Sequence, residues 1–329
     1  MIKPNNPFSP RTLLAASIGI GFSIPFLLGG SAPLTPTVPA GSDNARFAPV
    51  YSPDVPRQTT FAEKSIVLDR YDLRERMDRE LSSFCYMHSS TLLLFKRANR
   101  IFPIVEPILK EEGIPDDFKY LMTIESNLDA RARSPRGACG LWQFMETTAR
   151  EFGLEVNAEI DERYHTERAT RAACRYFRQA YAKYGDWMSV AASYNAGMGR
   201  ISSSLSRQEV TTALDLWLNE ETSRYMFRIL AVKTLFARPS HYGFHLRREN
   251  LYPPFEYTTD TVRGPITDLY AYAQSRGLSY AQLKDVNLWL RSDHLNNKAN
   301  RTYVLQLPRP SSVRYNPART HVHDPAWLD

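Results

Sequence analysis

The sequence predicts a mainly α-helical protein that ends in a small α+β module. Between about residues 65 and 240, apolar residues recur at spacings of three, four and seven, the period of an amphipathic helix. Gly and Pro interrupt this pattern at intervals typical of helix ends. After residue 250 the pattern changes to strand, helix, helix, strand. The 329 residues are enough for about two such domains.

The first 30 residues have the pattern of an export signal. Lys3 and Arg11 precede an uncharged apolar run from Leu13 to Leu28. That length suits either a cleaved signal peptide or a membrane anchor. The two positive charges before the run predict that the remainder of the chain faces away from the cytoplasm.

Residues 31–64 combine Pro with Ser, Thr and Gly and show no hydrophobic period, so they are predicted to be a flexible linker. The helical pattern then begins, with Leu73, Met77 and Leu81 at a spacing of four. A second helical stretch follows, in which Pro103 and Pro107 are expected to produce a kink.

The next helix begins after Gly113 and carries the main functional signal. Phe118, Leu121, Met122 and Glu125 lie at positions i, i+3, i+4 and i+7. A carboxylate is therefore predicted on the apolar face of this helix, where burial disfavours its charged form.

Four further helices complete the predicted helical domain, which spans residues 65–245. Thr147 is expected to cap a short helix that ends near Gly153. Another covers residues 167–184 and stops at Gly185, and Asp186 caps the helix that follows. Asn219 caps the last helix, which ends before residue 239.

The α+β module is predicted over residues 250–310. Alternating apolar residues near 255–262 suggest a strand, residues 266–276 and 280–284 suggest helices, and residues 303–307 suggest a second strand. The remaining residues, 311–329, are rich in Arg, His and Pro and are predicted to form a disordered tail.

The net charge of +6 and the pI near 9.1 indicate an anionic partner, either nucleic acid, a membrane surface or an acidic polymer. The basic residues are dispersed and no nucleic-acid signature is present, so no nucleic-acid partner is expected. Cys85, Cys139 and Cys174 are not spaced like metal ligands. Cys139 and Cys174 could form a bridge, and the alternative is that all three are buried free thiols.

Three blocks resemble the motifs of the lytic transglycosylases of glycoside hydrolase family 23. They are Ile-Glu-Ser-Asn at 124–127, Gly-Leu-Trp-Gln-Phe-Met at 140–145 and Ala-Ser-Tyr-Asn-Ala-Gly at 192–197. A fourth similar block, Glu-Thr-Ser-Arg-Tyr, lies at 221–225. The resemblance covers roughly residues 95–240 and implies a goose-type lysozyme-like helical catalytic domain, the SLT domain.

The resemblance implies that Glu125 is the single catalytic acid and base. A carboxyl group can protonate a glycosidic oxygen near neutral pH only if its pKa rises from about 4.3 toward 6 or 7, which burial can achieve. The structural alternative for Glu125 is a salt bridge to Arg131 or Arg133. The family assigns no second catalytic carboxylate, no cofactor and no metal, although most glycosidases use two carboxylates.

The resemblance also assigns six residues to substrate binding, and each has a structural alternative. Ser126 could be a solvated helix serine, and Tyr194 and Tyr225 could be packing residues. Gly140 would allow close approach of the glycan, and Gln143 offers donors and acceptors to sugar amides. The set is Ser126, Gly140, Gln143, Tyr194, Asn195 and Tyr225.

The C-terminal strand–helix–helix–strand order resembles LysM-like glycan-binding repeats. Val286 and Asn287 lack the proline that usually follows them, so the alternative is a module that packs without binding sugar. The whole resemblance implies an exported, periplasmic enzyme, either free or held by a membrane tether, that cleaves peptidoglycan glycan strands and leaves 1,6-anhydro-muramic ends during cell-wall remodelling. A hydrolytic muramidase and a non-catalytic wall-binding or scaffold protein are the alternatives.

Overall fold

The structure is a computed structural model that describes residues 50–329. The predicted signal or anchor over residues 1–30 and most of the predicted linker lie outside the described residues. No helix between residues 50 and 329 is both long and apolar enough to cross a membrane.

Eight helices build the larger part of the structure. The long last helix, α8, packs against α1, α3 and α6, and most of its residues are buried. The helices are α1 (Tyr71–Tyr86), α2 (His88–Glu111), α3 (Phe118–Ser126), α4 (Glu146–Glu151), α5 (Thr166–Tyr184), α6 (Trp187–Ala196), α7 (Met198–Gln208) and α8 (Glu220–Ala237).

The local signals in the sequence explain most of these helices. The predicted stripe of α1, at Leu73, Met77 and Leu81, is buried. Helix α5 ends where Gly185 adopts a left-handed conformation with φ +61°. The Asp186 carboxylate then accepts the backbone N–H of Ser189 and caps α6. Helix α2 continues through both of its prolines.

The N-terminal boundary of the domain was predicted incorrectly. Strands β1 (Gln58–Phe61) and β2 (Lys64–Val67) form an antiparallel hairpin inside the predicted linker and at the start of the predicted all-helical region. Phe61 is buried and its ring lies 5.4 Å from the ring of Phe118 on α3. The alternating pattern is too short to distinguish a strand from a polar linker by sequence. The contact between Phe61 and α3 makes this segment part of the folded domain.

The start of α4 also differs from the prediction. The helix begins at Glu146, with Met145 as its N-cap residue, so Thr147 lies inside the first turn rather than at the cap. The helix ends two residues before Gly153, close to the predicted end. Helix ends of this kind are decided by the direction of the preceding loop, which sequence spacing does not specify.

The module has the predicted order: β3 (Tyr257–Val262), α9 (Leu269–Ser275), α10 (Tyr280–Val286) and β4 (Tyr303–Pro308). Strands β3 and β4 pair antiparallel. Asp268 caps α9 through its carboxylate, and Ser279 caps α10 in a reciprocal capping box with Gln282.

The module is joined to the helical domain by backbone and side-chain hydrogen bonds. The backbone N–H of Asp161 donates to the carbonyl of Trp289 at 2.8 Å, and the N–H of Arg291 donates to the carbonyl of Glu159 at 2.7 Å. The Glu159 carboxylate accepts both the backbone and side-chain N–H groups of Asn296. Ile160 is buried in the same apolar cluster as the module's own core.

The C-terminal tail is not disordered as predicted. Trp327 is only 3% exposed, and its ring packs against Phe95 and Phe102 of α2 and Phe236 of α8. The Asn99 side chain accepts the backbone N–H of His323 at 2.8 Å. Because the tail is mostly polar, its composition did not predict that Trp327 fills the space between α2 and α8.

Candidate active site

Glu125 lies in the last turn of α3, the position that the sequence predicted for the catalytic acid. Phe118, Leu121 and Met122, on the same helix, are fully buried. Glu125 is partly buried, and burial of its carboxyl group raises its pKa from an ordinary 4.5 to about 7. Asn127 then ends the helix in a left-handed conformation with φ +51°.

Three side chains of α8 adjust this pKa. The hydroxyl of Tyr225 donates a hydrogen bond to Oε1 of Glu125 at 2.5 Å, which favours the ionised carboxylate and lowers the pKa. The positive charge of Arg228 also lowers the pKa, and the negative charge of Glu221 raises it. Burial is the largest effect, so the pKa remains raised.

The salt-bridge alternative for Glu125 is wrong. Arg131 forms an ion pair with Asp285 of the module instead. Arg133 lies beside Cys139 in a short backbone bridge. None of the ion pairs among residues 50–329 includes Glu125. A partly buried carboxyl group without a cationic partner in contact is more easily protonated than a paired one.

Tyr225 and Tyr194 have different places in the site. Tyr225 is buried, and its hydroxyl contacts the carboxyl of Glu125 directly. The hydroxyl of Tyr194 donates instead to the carbonyl of Trp142 at 2.7 Å, and its ring packs against Phe177 and Phe144. The charge of Glu125 still contributes to the raised pKa of Tyr194, so the two side chains are neighbours. Tyr194 therefore has the packing contacts of the structural alternative.

The turn that contains Gly140 and Gln143 packs closely against the backbone at Arg163. Gly140 has φ +74°, and a Cβ atom there would lie 1.9 Å from the carbonyl oxygen of Arg163. Gln143 has φ +49°, and its side-chain amide donates to the carbonyl of Gly140 at 2.8 Å and of Ala132 at 3.3 Å. Both residues thus hold the loop together, and their predicted contact with the glycan remains a prediction.

Ser126 and Asn195 are the other two predicted binding residues. Ser126 is buried, and its hydroxyl donates to the carbonyl of Met122 one turn back at 3.2 Å. It is therefore not the solvated helix serine of the structural alternative. Asn195 is partly buried near the end of α6, just before Gly197 turns the chain with φ +85°. Roles for both in substrate binding remain predictions.

A buried ion pair that the sequence did not reveal supports the loop around Gly140. Arg163 binds both carboxylate oxygens of Asp161, at 2.8 and 2.7 Å. Its guanidinium also donates to the carbonyls of Gly137 and Phe144, at 2.9 and 3.3 Å. An Asp two residues before an Arg is too common a pattern to predict such a contact. Glu221 and Arg228 were also missed, although both lie one turn from Tyr225.

Of the two alternatives left open by the sequence, a bridge between Cys139 and Cys174 is absent and the buried free thiols are confirmed. Cys85, Cys139 and Cys174 are all free and buried in the described part of the chain. Cys139 is 2% exposed beside Gly140, and its thiol contacts the carbonyl of Gly137 at 3.5 Å.

Comparison with known proteins identifies both parts of the structure. Residues 103–213 match the transglycosylase SLT domain, and residues 258–311 match the soluble lytic transglycosylase C-terminal LysM-like domain. The chain therefore contains an SLT transglycosylase domain followed by a LysM-like domain. These matches confirm the fold class and the family resemblance inferred from the sequence motifs.

The chain is homologous to membrane-bound lytic murein transglycosylase D of Escherichia coli (strain K12), with 26% identity over 236 residues. The match covers 68% of this chain and 49% of that relative, so the chain spans about half the length of the relative. A putative tributyltin chloride resistance protein of Alteromonas sp. (strain M-1) is 27% identical over 122 residues, which are 37% of this chain and 59% of that protein.

Proposed function

We propose that the protein is a lytic transglycosylase of peptidoglycan that uses Glu125 as its only catalytic acid and base. It would cleave the β-1,4 bond between N-acetylmuramic acid and N-acetylglucosamine and leave 1,6-anhydro-muramic ends, in cell-wall remodelling. The observation that carries the proposal is the partly buried carboxyl of Glu125, with its pKa near 7 and its hydrogen bond from Tyr225. The SLT domain supports the same reaction class.

A carboxyl with this pKa suits both steps of the reaction. In the first step, protonated Glu125 gives its proton to the glycosidic oxygen as that bond to the muramic C1 breaks. The substrate's acetamido group would stabilise the positive charge that develops at C1. In the second step, ionised Glu125 takes the proton of the muramic 6-hydroxyl, whose oxygen bonds to C1 and closes the anhydro ring. Near pH 7 both forms of Glu125 are populated, so neither step requires a rare protonation state.

Binding to the cell wall and location in the envelope are part of the same proposal. The LysM-like domain supports binding of glycan strands, and the relative from Escherichia coli is membrane-bound by its name. We infer an exported, periplasmic protein, with the N-terminal segment as signal or tether. A muramidase differs only in using water at the second step, and a wall-binding scaffold would lack turnover altogether.

Digestion of purified peptidoglycan, followed by mass spectrometry of the products, tests the proposal. The full-length protein is compared with Glu125→Gln and with a control, Glu146→Gln, whose carboxylate is exposed and pairs with Arg150 on α4. We expect anhydro-muramic products from the wild type and the control. Glu125→Gln should lower the rate on the order of a hundredfold or more, the usual scale for loss of a general acid.

Each other outcome selects a different function. Products with only reducing ends would replace the transglycosylase with a muramidase. Absence of products from all three folded proteins would support a non-catalytic wall-binding protein. Equal rates for the wild type and Glu125→Gln would remove Glu125 from the mechanism.

A further inference from the structure

A cavity of about 370 Å³ lies between the helical domain and the LysM-like domain. Arg97 and Arg100 of α2 form one wall, and the loop directly after α3 forms another. Tyr252 and Phe255 lie on the segment that leads into β3, and Tyr257, Asp285 and Trp289 come from the module itself. Glu125 is not among the residues that line this cavity.

Two of the three arginines that line this cavity form ion pairs with carboxylates of the same cavity. Arg97 lies 3.7 Å from Asp129, and Arg131 pairs with Asp285. Glu167 accepts the hydroxyl of Tyr257 at 3.4 Å. Within residues 50–329, Arg100 has no carboxylate in ion-pair contact, and its one hydrogen bond to protein is from Nε to the carbonyl of Pro253, at 2.9 Å.

Arg100 is held in place by aromatic rings. Its guanidinium lies 4.3 Å from the ring centre of Phe255 and 5.5 Å from that of Tyr252. Stacking of this kind leaves the edge of the planar guanidinium available to hydrogen-bond acceptors. Burial lowers the pKa of Arg100, since its positive charge is only partly compensated by its surroundings. A bound anion would supply the missing compensation.

The cavity adjoins the end of the catalytic helix. Leu128 and Asp129, which line it, follow Glu125 by three and four residues. Arg97 donates from Nη1 to the carbonyl of Asn127 at 2.9 Å, which ties α2 to the residue that ends α3. A ligand in the cavity would therefore lie beside the segment that carries the catalytic carboxyl.

We propose that this cavity binds a carboxylate-bearing ligand, with Arg100 receiving the carboxylate and the rings of Tyr252, Phe255 and Tyr257 packing against the remainder. A planar guanidinium can hold a carboxylate through two parallel hydrogen bonds. The inference rests on the proposed function for its source of ligand, because peptidoglycan strands carry short peptides with free carboxylates. An acidic sugar such as muramic acid is the other source of the same chemistry.

Isothermal titration calorimetry of the full-length wild-type protein tests the carboxylate requirement. The probes are L-alanyl-γ-D-glutamate, its analogue with both carboxylates converted to amides, and N-acetylmuramic acid. We expect the dipeptide to bind at least about tenfold more tightly than its diamide, since a charged hydrogen-bonding pair is lost. Stronger binding of N-acetylmuramic acid would assign the site to the sugar carboxylate. Equal binding of acid and amide, or no binding of any probe, would overturn the proposal.

Arg100→Gln tests the location of the site. We expect at least about a tenfold loss of affinity for the carboxylate probe that binds the wild type. The control is Arg70→Gln, which removes an arginine that pairs with Asp72 and Asp215 away from the cavity. Circular dichroism establishes that each variant is folded. Unchanged affinity in a folded Arg100→Gln protein would contradict the assignment, and the acid and amide probes decide the matter in the wild type if that variant does not fold.

Titration of Glu125→Gln separates this inference from the proposed function. Binding of the probe should be unchanged in this variant, because the cavity does not include the catalytic carboxyl. A protein that binds the carboxylate probe but releases no anhydro product would refute the proposed function alone. A protein that releases anhydro product but does not distinguish acid from amide would refute the carboxylate site alone.

Discussion

At the scale of single residues, the pKa of Glu125 results from opposing effects. Burial favours the neutral acid, while the hydroxyl of Tyr225 and the charge of Arg228 favour the carboxylate. A rise from 4.5 to about 7 corresponds to roughly 3 kcal/mol of disfavoured charge. In the part of the chain that the structure describes, no cationic side chain contacts the carboxyl to offset this cost.

Glu125→Gln should stabilise the protein above neutral pH. At pH 8 Glu125 ionises freely in the unfolded chain, but in the folded protein partial burial disfavours the same charge. At pH 4 the group is mostly protonated in both states. The stability that it contributes is therefore complete below its unfolded pKa of 4.5 and is lost as the pH rises through its folded pKa of about 7.

We expect Glu125→Gln to raise the free energy of unfolding by about 1 to 3 kcal/mol at pH 8 and by little at pH 4. Urea denaturation of wild type and variant at the two pH values measures the difference. A variant that is less stable than the wild type at pH 8 would contradict the raised pKa.

Tyr225→Phe should raise the pKa of Glu125 further, because it removes the hydrogen bond that favours the carboxylate. The alkaline limb of kcat/KM, which follows loss of the acid form of Glu125, should move upward by about one pH unit. Tyr176→Phe is the matched control, since its buried hydroxyl donates to the carbonyl of Ser193 and not to Glu125. A limb that is unmoved or displaced downward would show that Tyr225 serves only for packing.

Glu221→Gln should have the opposite effect. Its negative charge raises the pKa of Glu125, so neutralising it should move the alkaline limb to lower pH. The displacement should be smaller than that of Tyr225→Phe and should diminish at high salt, because Glu221 is exposed. Glu220→Gln, at the neighbouring exposed carboxylate, is the control. A displacement that is insensitive to salt would indicate a direct role for Glu221 in the reaction.

At the scale of elements, the loop of Gly140 and Gln143 depends on a close approach between two backbones. Gly140 faces the carbonyl of Arg163 so closely that no side chain fits. Arg163 in turn binds Asp161 and two carbonyls of the same loop. The motif at 140–145, which the family resemblance assigns to glycan contact, therefore also needs glycine at position 140 for the loop to fold.

Gly140→Ala should destabilise the protein severely. Gly137→Ala is a matched control, because Gly137 also has a positive φ, +87°, but no atom lies within 4 Å of its Cβ position. The control should cost about 1 kcal/mol, from backbone conformation alone. Gly140→Ala should cost about 3 kcal/mol more, from overlap with the carbonyl of Arg163. Urea denaturation measures both, and similar losses would show that the loop can move away from Arg163.

At the scale of the whole molecule, distant segments complete the helical domain. The N-terminal hairpin brings Phe61 to α3, and the C-terminal tail brings Trp327 between α2 and α8. Segment 159–161 connects the helical domain to the LysM-like domain by pairing with residues 289–296. Residues beyond the matched SLT segment thus contribute to the core that positions α3.

Trp327→Ala should lower the free energy of unfolding by about 3 kcal/mol or more, because it leaves a cavity between α2 and α8. Trp217→Ala removes a side chain that is 83% exposed and should change stability by less than about 0.5 kcal/mol. Thermal denaturation of both variants distinguishes them. Equal melting temperatures for Trp327→Ala and the wild type would show that the tail does not belong to the core.

The sequence by itself determined the helical domain, the strand–helix–helix–strand module and the position of Glu125 on a buried helix face. These features depend on the 3.6-residue period, on caps such as Asp186 and Gly185, and on local motifs, all of which act over a few residues. The same local information placed the Glu125 carboxyl on that face but could not say what touches it. The free state of the three thiols was likewise left open.

Only the tertiary structure decided the contacts between residues far apart in the chain. It brought Tyr225 to Glu125 across 100 positions, paired Arg131 with Asp285, and placed Arg100 in a cavity formed by both domains. In the tertiary structure, part of the predicted linker forms a hairpin, and the predicted disordered tail contributes to the core. The physical reason is that burial depends on which surfaces meet, and single aromatic residues in polar segments, such as Phe61 and Trp327, leave no periodic signal.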